Sequence, residues 1–315
     1  MLQINDFFYF FYMTDIWYII VNPTAGNGLA KKKWNHIVSV LNSQKIQYHF
    51  DFSSYQHHEK ELVHKALVNG YRKFISVGGD GTLHHIVNGV MDQKIVDPST
   101  IKIGVIPLGT GNDWIKTYKI PKNIEKAVAI IKSEKRIAQD IGQLELLNTK
   151  QCIYFNNLAG LGFDAFVVKN NMKYKKIGAL SYLISGLISF FSYQKSKLLI
   201  EFNSKIISTP SLLSLVGICK FSGGGMQLTE NVDPSDGLFD ITIAKNFNFF
   251  SVILNIFNFY NGTILKHKEV ETYKTKHIKI TAENSNTYVQ ADGELIGTGG
   301  FKAVLLPNAL YFIIP

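Results

Sequence analysis

Three short stretches place glycines beside hydroxyls and carboxylates: residues 22–28 (NPTAGNG), 78–82 (GGDGT) and 109–113 (GTGND). Glycine lets backbone N–H groups approach an anion closely, and a following helix offers the positive end of its dipole. The first stretch offers little beyond that, and a strand-to-helix turn needs glycine in any case. The second and third add Asp80, Thr82, Thr110 and Asp113. Backbone donors, hydroxyls and hard carboxylate oxygens are together what a phosphate chain with Mg²⁺ requires. The Walker A spacing G-x-x-x-x-G-K-[ST] is missing, which excludes an ordinary P-loop.

Far down the chain, Asp292-Gly293-Glu294 follows a strand-like run over residues 288–291. In an extended segment, residues two apart face the same way, so both carboxylates can serve one site. A hairpin turn with a chance acidic pair is the alternative. Phosphoryl transfer to an alcohol needs a base beside the attacking hydroxyl and a cation on the phosphates. His84 and His85 stand one helical turn from Asp80. Adjacent helical positions diverge by about 100°, which argues against a shared metal and puts one ring towards a ligand, the other in packing or solvent.

The elements that must position these residues alternate. Strand-like runs at residues 16–21, 47–52, 74–77 and 101–106 are each followed by glycine or polar turns. Helical patterns lie at 29–43, 59–69 and from the second glycine stretch to about 91. This alternation predicts an α/β fold with a parallel sheet, and such sheets bind ligands at the carboxyl ends of their strands. After about Asp140 the texture changes to runs of strands (152–157, 197–202, 212–219, 239–244, 277–282 and 288–291), which predicts mostly antiparallel β. Two apolar helix-like segments, 177–191 and 247–265, interrupt them.

Hydrophobic residues make up 46% of the 315 and charged residues 18%, which excludes a disordered chain. The net charge of +9 asks for an anionic partner. Only Arg72 and Arg136 supply the forked guanidinium that reads phosphates and bases, and there is no zinc spacing or basic heptad helix. Nucleic acid is therefore not expected. Cys152 and Cys219 sit in apolar runs and read as buried free thiols. Residues 1–12 (MLQINDFFYFFY) lack a signal-peptide layout and read as an extension before Met13 or an apolar tail. The longest apolar run, 177–193, falls short of the roughly 20 residues of a membrane span. Its stripe Leu180, Leu183, Ile184, Leu187, Ile188 and Phe191 lies between lysines. It suits either an anionic membrane surface or packing on the domain core.

Taken in order, NPTAGNG, GGDGTLHHIVNG, PLGTGNDWIKTYKIP, QDIG, NNLAGLGFDAFV, DPSDGLFDITI and QADGELIG resemble the diacylglycerol kinase/sphingosine kinase catalytic family, especially its small bacterial lipid kinases. The resemblance spans nearly the whole chain from Met13. It implies a Rossmann-like ATP-binding domain over residues 13–140 and a β-rich (β-sandwich) lipid-substrate domain over 141–302. A last strand within 303–315 would return to the first domain. ATP contacts are implied at Asn22, Pro23, Thr24, Ala25, Gly26, Gly79, Asp80, Gly81, Thr82, Leu83, His84, His85, Thr110 and Asn112. Ser53 joins them on spacing alone. Asp80, Asp113 and Asp140 would form the acidic network behind a catalytic Mg²⁺. Glu294 would accept the proton, with Asp292 beside it. Asp233, Asp236 and the Leu238 carbonyl would hold a second, structural Mg²⁺. His84 and His85 replace the family's commoner Asn and Glu, while Trp114 and Lys116 replace Phe and Arg.

The implied reaction moves the γ-phosphate of ATP to a lipid hydroxyl. The implied setting is cytoplasmic, with peripheral contact to an anionic membrane, and an edge strand could support a homodimer. A NAD kinase shares the GGDGT loop and is the first alternative. A non-catalytic nucleotide- or lipid-binding module is the second, against which the retained carboxylates speak because burying them costs desolvation.

Overall fold

The structure, a computed structural model, describes residues 13–171, 186, 188–230, 232–245 and 247–315. Residues 1–12 and most of the expected 177–191 helix lie outside the described residues, and of its apolar stripe only Ile188 and Phe191 are described. Contacts divide the chain into two units. One runs to Gln139 and takes in Asn308–Pro315, and the other is Asp140–Pro307.

In the first unit, β1 (Trp17–Val21) pairs in parallel with β2 (Tyr48–Phe52) and β3 (Lys73–Gly78), and β3 pairs with β4 (Lys102–Pro107). Every residue of β1 and β3 is buried, as expected of parallel strands covered on both faces. Helix α1 (Ala25–Ser43) buries Ala30, Trp34, Ile37 and Leu41, a single apolar face at helical spacing. Residues 26–28 have left-handed backbones, so its regular turns start after Gly28. Helices α2 (His58–Val68), α3 (Asp80–Asp92) and α4 (Asp113–Thr117) follow. Helix α5 (Ile124–Ser133) is capped by Asn123, whose side chain accepts the Lys126 N–H at 2.8 Å.

The second unit is mostly antiparallel. Part of β5 (Arg136–Leu146) pairs with β6 (Cys152–Phe155). Helix α6 (Phe163–Asn171) follows β7 (Leu158–Gly162). Strands β8 (Ser196–Phe202) and β9 (Lys205–Ser211) form a hairpin. Strand β7 pairs with β10 (Leu213–Gly217), beyond which lies the small ribbon of β11 (Phe221–Ser222) and β12 (Met226–Gln227). Strand β13 (Phe239–Ala244) joins β10 to β14 (Val270–Thr275). Strand β15 (His277–Ala282) pairs with β8, while β16 (Tyr288–Ala291) pairs with both β7 and β17 (Glu294–Thr298). The helix-like segment 247–265 breaks at Asn255 into α7 (Phe249–Leu254) and α8 (Ile256–Asn261), with a 3₁₀ turn at Thr263–Lys266. Cys219 is buried as expected. Cys152 is exposed, because it opens a strand that pairs only with β5.

Strand β18 (Phe301–Ile313) belongs to both units. Its first half pairs antiparallel with β15, and Tyr311 and Phe312 pair in parallel with Lys102 and Ile103 of β4. The last strand thus returns to the first unit. Pro307, which has no N–H to donate, and left-handed Asn308 (φ 50°) mark the passage from one unit to the other.

Candidate active site

The three glycine stretches follow β1, β3 and β4 and meet within the first unit. Gly26 has a left-handed backbone (φ 60°), and a Cβ there would stand 2.1 Å from the Leu108 carbonyl oxygen. A Cβ on Gly109 would stand 2.3 Å from the Gly79 Cα. Neither contact leaves room for a side chain, so bare backbone is required at Gly26 and Gly109. They lie at the carboxyl ends of three strands of one parallel sheet.

Asp80 opens α3 and ties the second stretch to the third. Its Oδ2 accepts the Asp113 N–H at 3.0 Å, and its Oδ1 accepts the Trp114 N–H at 3.1 Å. Asp113 Oδ1 takes the Lys116 Nζ at 2.6 Å. Both carboxylates line Gly111: a Cβ there would lie 3.3 Å from Asp80 Oδ2 and 3.8 Å from Asp113 Oδ2. Asn112 is left-handed (φ 51°) and donates from Nδ2 to the Gly109 carbonyl. The Trp114 indole donates to Gln139 Oε1 at 2.9 Å and packs 4.7 Å from the Phe312 ring, so the last strand supports the helix that carries Asp113.

Thr82 Oγ1 is buried and has no hydrogen-bond partner among the described residues. Such an orphan costs about 1–3 kcal/mol, which a phosphate oxygen at this place would recover. Asn22 Oδ1 accepts both the N–H and the hydroxyl of Thr24, which shapes the stretch around Pro23 and Ala25. Ser53 is buried just after β2, its N–H donating to the Val21 carbonyl at 2.9 Å. Leu83 and His84 face the core, Gly81 and Thr110 are partly exposed, and the His84 carbonyl accepts Asn88 Nδ2. His85 turns the other way and meets His57, ring nitrogens 3.1 Å apart. Burial, then His84, His57 and Lys60, push the His85 pKa down to about 3, so the ring is neutral at neutral pH. No group of three or more His, Cys, Asp and Glu placed to hold a metal ion occurs among the described residues.

In the second unit, Asp140 clasps the 233–238 loop. Its Oδ2 accepts the Gly237 N–H at 2.7 Å and its N–H donates to the Pro234 carbonyl. Asp233 Oδ1 accepts the N–H and hydroxyl of Ser235, and Asp236 Oδ1 accepts the Leu238 N–H. Asp236 Oδ2 is already taken by Lys274 Nζ at 2.7 Å, and the same ammonium lies 3.4 Å from Asp240 Oδ2. Burial pushes the Asp240 carboxyl up to about 6 against the pull of Lys274. Lys274 thus occupies one oxygen of the donor set expected to hold a structural Mg²⁺, as Lys116 does at Asp113.

The acidic segment near the end is a turn, not an extended run. Asp292 (φ 52°) and Gly293 (φ 82°) make the two-residue connection of the β16–β17 hairpin. The buried Asp292 carboxylate accepts three backbone N–H groups, from Asn156 (3.1 Å), Asn157 (2.9 Å) and Leu158 (3.1 Å). Its own N–H donates to the Leu158 carbonyl at 2.8 Å. Asp292 is thus a clamp, and Glu294, partly exposed at the start of β17, is the carboxylate held out by that turn.

Two features escaped the sequence reading. Gln290 bridges the turn to α6, accepting the Gly293 N–H and donating to Asp164 Oδ2 at 3.0 Å. Burial pushes the Asp164 carboxyl up to about 6, and its Oδ1 has no hydrogen-bond partner among the described residues. The available signal was a lone acid in the apolar run LGFDAF. The tandem Asn156-Asn157 marked the other end of the Asp292 clamp.

The chain is thus a parallel α/β unit with facing glycine turns followed by an antiparallel unit with a clamped acidic hairpin. The diacylglycerol kinase catalytic domain family matches residues 16–144, and the YegS C-terminal NAD kinase beta sandwich-like domain matches residues 157–314, half of the chain. The chain therefore belongs to the family in which a diacylglycerol kinase catalytic domain precedes a YegS-type C-terminal domain. It is 28% identical to a diacylglycerol kinase of Staphylococcus haemolyticus, over 89% of this chain and 82% of that one. To a diacylglycerol kinase of Staphylococcus carnosus it is 29% identical, over 89% and 88%. A crystal structure of a diacylglycerol kinase from Bacillus anthracis shares the fold, with a TM-score of 0.75 over 96% of this chain and 97% of that one at 24% identity.

Proposed function

We propose that this chain is an ATP-dependent lipid kinase, transferring the γ-phosphate of ATP to the hydroxyl of a diacylglycerol-like lipid. The observation that carries the reading is the meeting of the three glycine turns, the second tied to the third by Asp80, with the orphan Thr82 hydroxyl in the first turn of the helix that Asp80 opens. ATP is held by the backbone of residues 22–26 and 79–82, by Thr110 and Asn112, and by Ser53, with His85 a neutral neighbour. Asp80 and Asp113 are the carboxylates that would hold Mg²⁺, which when bound neutralises charge on the phosphate oxygens.

The transfer forms a bond from the lipid oxygen to Pγ and breaks the bond from Pγ to the β,γ-bridging oxygen. Glu294 takes the hydroxyl proton, and ADP leaves with the electron pair of the broken bond. Asp292 fixes the turn from which Glu294 projects. No described helix is long and apolar enough to cross a membrane. A lipid acceptor stays in its bilayer, so the reaction is placed at an anionic membrane surface, with ATP drawn from the cytoplasm.

The test is transfer of radiolabelled phosphate from ATP with Mg²⁺ to lipids extracted from the source cells, with Glu294→Ala as control. A labelled lipid that disappears in the variant supports the reading and identifies the acceptor by mass. Labelled NADP from added NAD, with no labelled lipid, would instead make the protein a NAD kinase.

A further inference from the structure

Helices α7 and α8 are apolar on the side that packs and on the side that does not. Val252 and Phe259 face inward, onto a buried cluster of Leu212, Ala244, Phe247 and Ile264. The outward positions are Phe250, Leu254 and Phe257, which are 75%, 80% and 83% exposed. Phe191, 75% exposed, extends this surface, its ring 4.4 Å from that of Phe249. A surface helix ordinarily turns polar residues outward, and contiguous exposed apolar surface marks a place that something covers.

The charge around this face selects the occupant. Residues 247–268 contain no Asp or Glu. Exposed Lys266 and Lys268 follow α8, and exposed Lys195 and Lys197 follow Phe191. Lysines around the face of a chain of net charge +9 repel a second copy and attract anionic headgroups. Phenylalanines above a lysine border suit the headgroup–acyl boundary of a bilayer. Helices of six residues each can lie in that plane but cannot span it.

We infer that α7, α8 and Phe191 form the face by which this protein docks on an anionic lipid bilayer, with Phe250, Leu254 and Phe257 as the inserting side chains. The inference rests on the lipid kinase reading for the purpose of the contact. It rests on exposure and charge alone for its location.

The experiment is flotation with vesicles of phosphatidylcholine, pure or mixed with phosphatidylglycerol, using the wild type and Phe250→Glu/Leu254→Glu/Phe257→Glu. The wild type should float with the mixed vesicles and far less with the pure ones. The variant should bind at least about tenfold more weakly at an unchanged melting temperature. If the triple variant folds poorly, Lys266→Glu/Lys268→Glu makes the same test through the charged border. Equal binding by wild type and variant overturns the assignment. So does a wild-type dimer in light scattering that the substitutions split, with no vesicle binding, since the occupant is then a second copy. Phosphate transfer to a short-chain diacylglycerol dissolved as monomer separates the two claims. Flotation without transfer leaves the docking face standing and removes the kinase; transfer without flotation does the reverse.

Discussion

Asp80 holds Trp114 by its backbone: the Asp80 Oδ1 accepts the Trp114 N–H at 3.1 Å while the indole rests on Phe312 of the last strand. One carboxylate thereby ties together two glycine turns. Asp80→Asn replaces one acceptor oxygen by an NH₂ that faces an N–H donor. The expected loss is about 1–3 kcal/mol of stability, with a larger loss of nucleotide affinity. Denaturant midpoints and ATP titration calorimetry read the two effects separately. An unchanged ATP affinity would remove Asp80 from the nucleotide site.

Glu294 and Asp292 should fail in different ways. Glu294→Ala is expected to lower turnover by about 10² or more with ATP binding and melting temperature intact, the usual size of a general-base loss. Asp292→Asn can keep at most part of its grip on the Asn156–Leu158 amides, so it should lose about 1–3 kcal/mol of stability as well as turnover. Steady-state kinetics beside thermal melts distinguish the base from the clamp. A stable Asp292→Asn with full turnover would show that the clamp positions nothing.

Asp164 should give a pH signature. Its folded pKa of about 6 lies above the ordinary carboxyl value near 4, so the native state binds more protons than the unfolded chain in that window. Its contribution to stability is therefore fully present below about pH 4 and falls away as the pH rises through 6. Asp164→Asn removes this titration. Relative to the wild type, the variant should gain up to about 3 kcal/mol as the pH passes from 4 to 7, read from urea midpoints. A constant difference across that range would contradict the assignment.

With Lys274 paired to Asp236, the 233–238 loop is expected to hold its shape without metal. The melting temperature of the wild type should not move with EDTA or added Mg²⁺. Lys274→Met leaves Asp236 and Asp240 facing each other without an ammonium, so it should destabilise the protein by about 1–3 kcal/mol, and Mg²⁺ should restore part of the loss. Differential scanning calorimetry with and without the ion is sufficient. An EDTA-sensitive wild type would show that Lys274 yields its place to a metal.

Much of this protein was legible in residue order. The glycine stretches could be read because turns that approach backbone to backbone admit almost nothing else, as Gly79 against Gly109 shows. The parallel and antiparallel halves followed from the change of hydrophobic texture near Asp140. What stayed hidden depends on partners far apart in the chain. Nothing in DPSDGLFD announces that Lys274 neutralises Asp236. Period-two logic put Asp292 and Glu294 side by side, yet the left-handed backbone at Asp292 and Gly293 turns the segment at that point. The segment 247–265 carries helical spacing throughout, but the Asn255 side chain bonds back to the Ser251 carbonyl and the helix ends there.

The path of the last strand bears on how the protein is made. A ribosome releases residues 17–107, and with them the first four strands, long before it has polymerised Tyr311 and Phe312. Until then the outer edge of β4 lacks its partner and Trp114 lacks the ring it packs on. The nascent first unit therefore waits, incomplete, through synthesis of the whole second unit, with an unpaired strand edge open to mispairing. Translation that stalls before the codons for Tyr311 and Phe312 would release a chain with every glycine turn and carboxylate present and the first unit still unfinished.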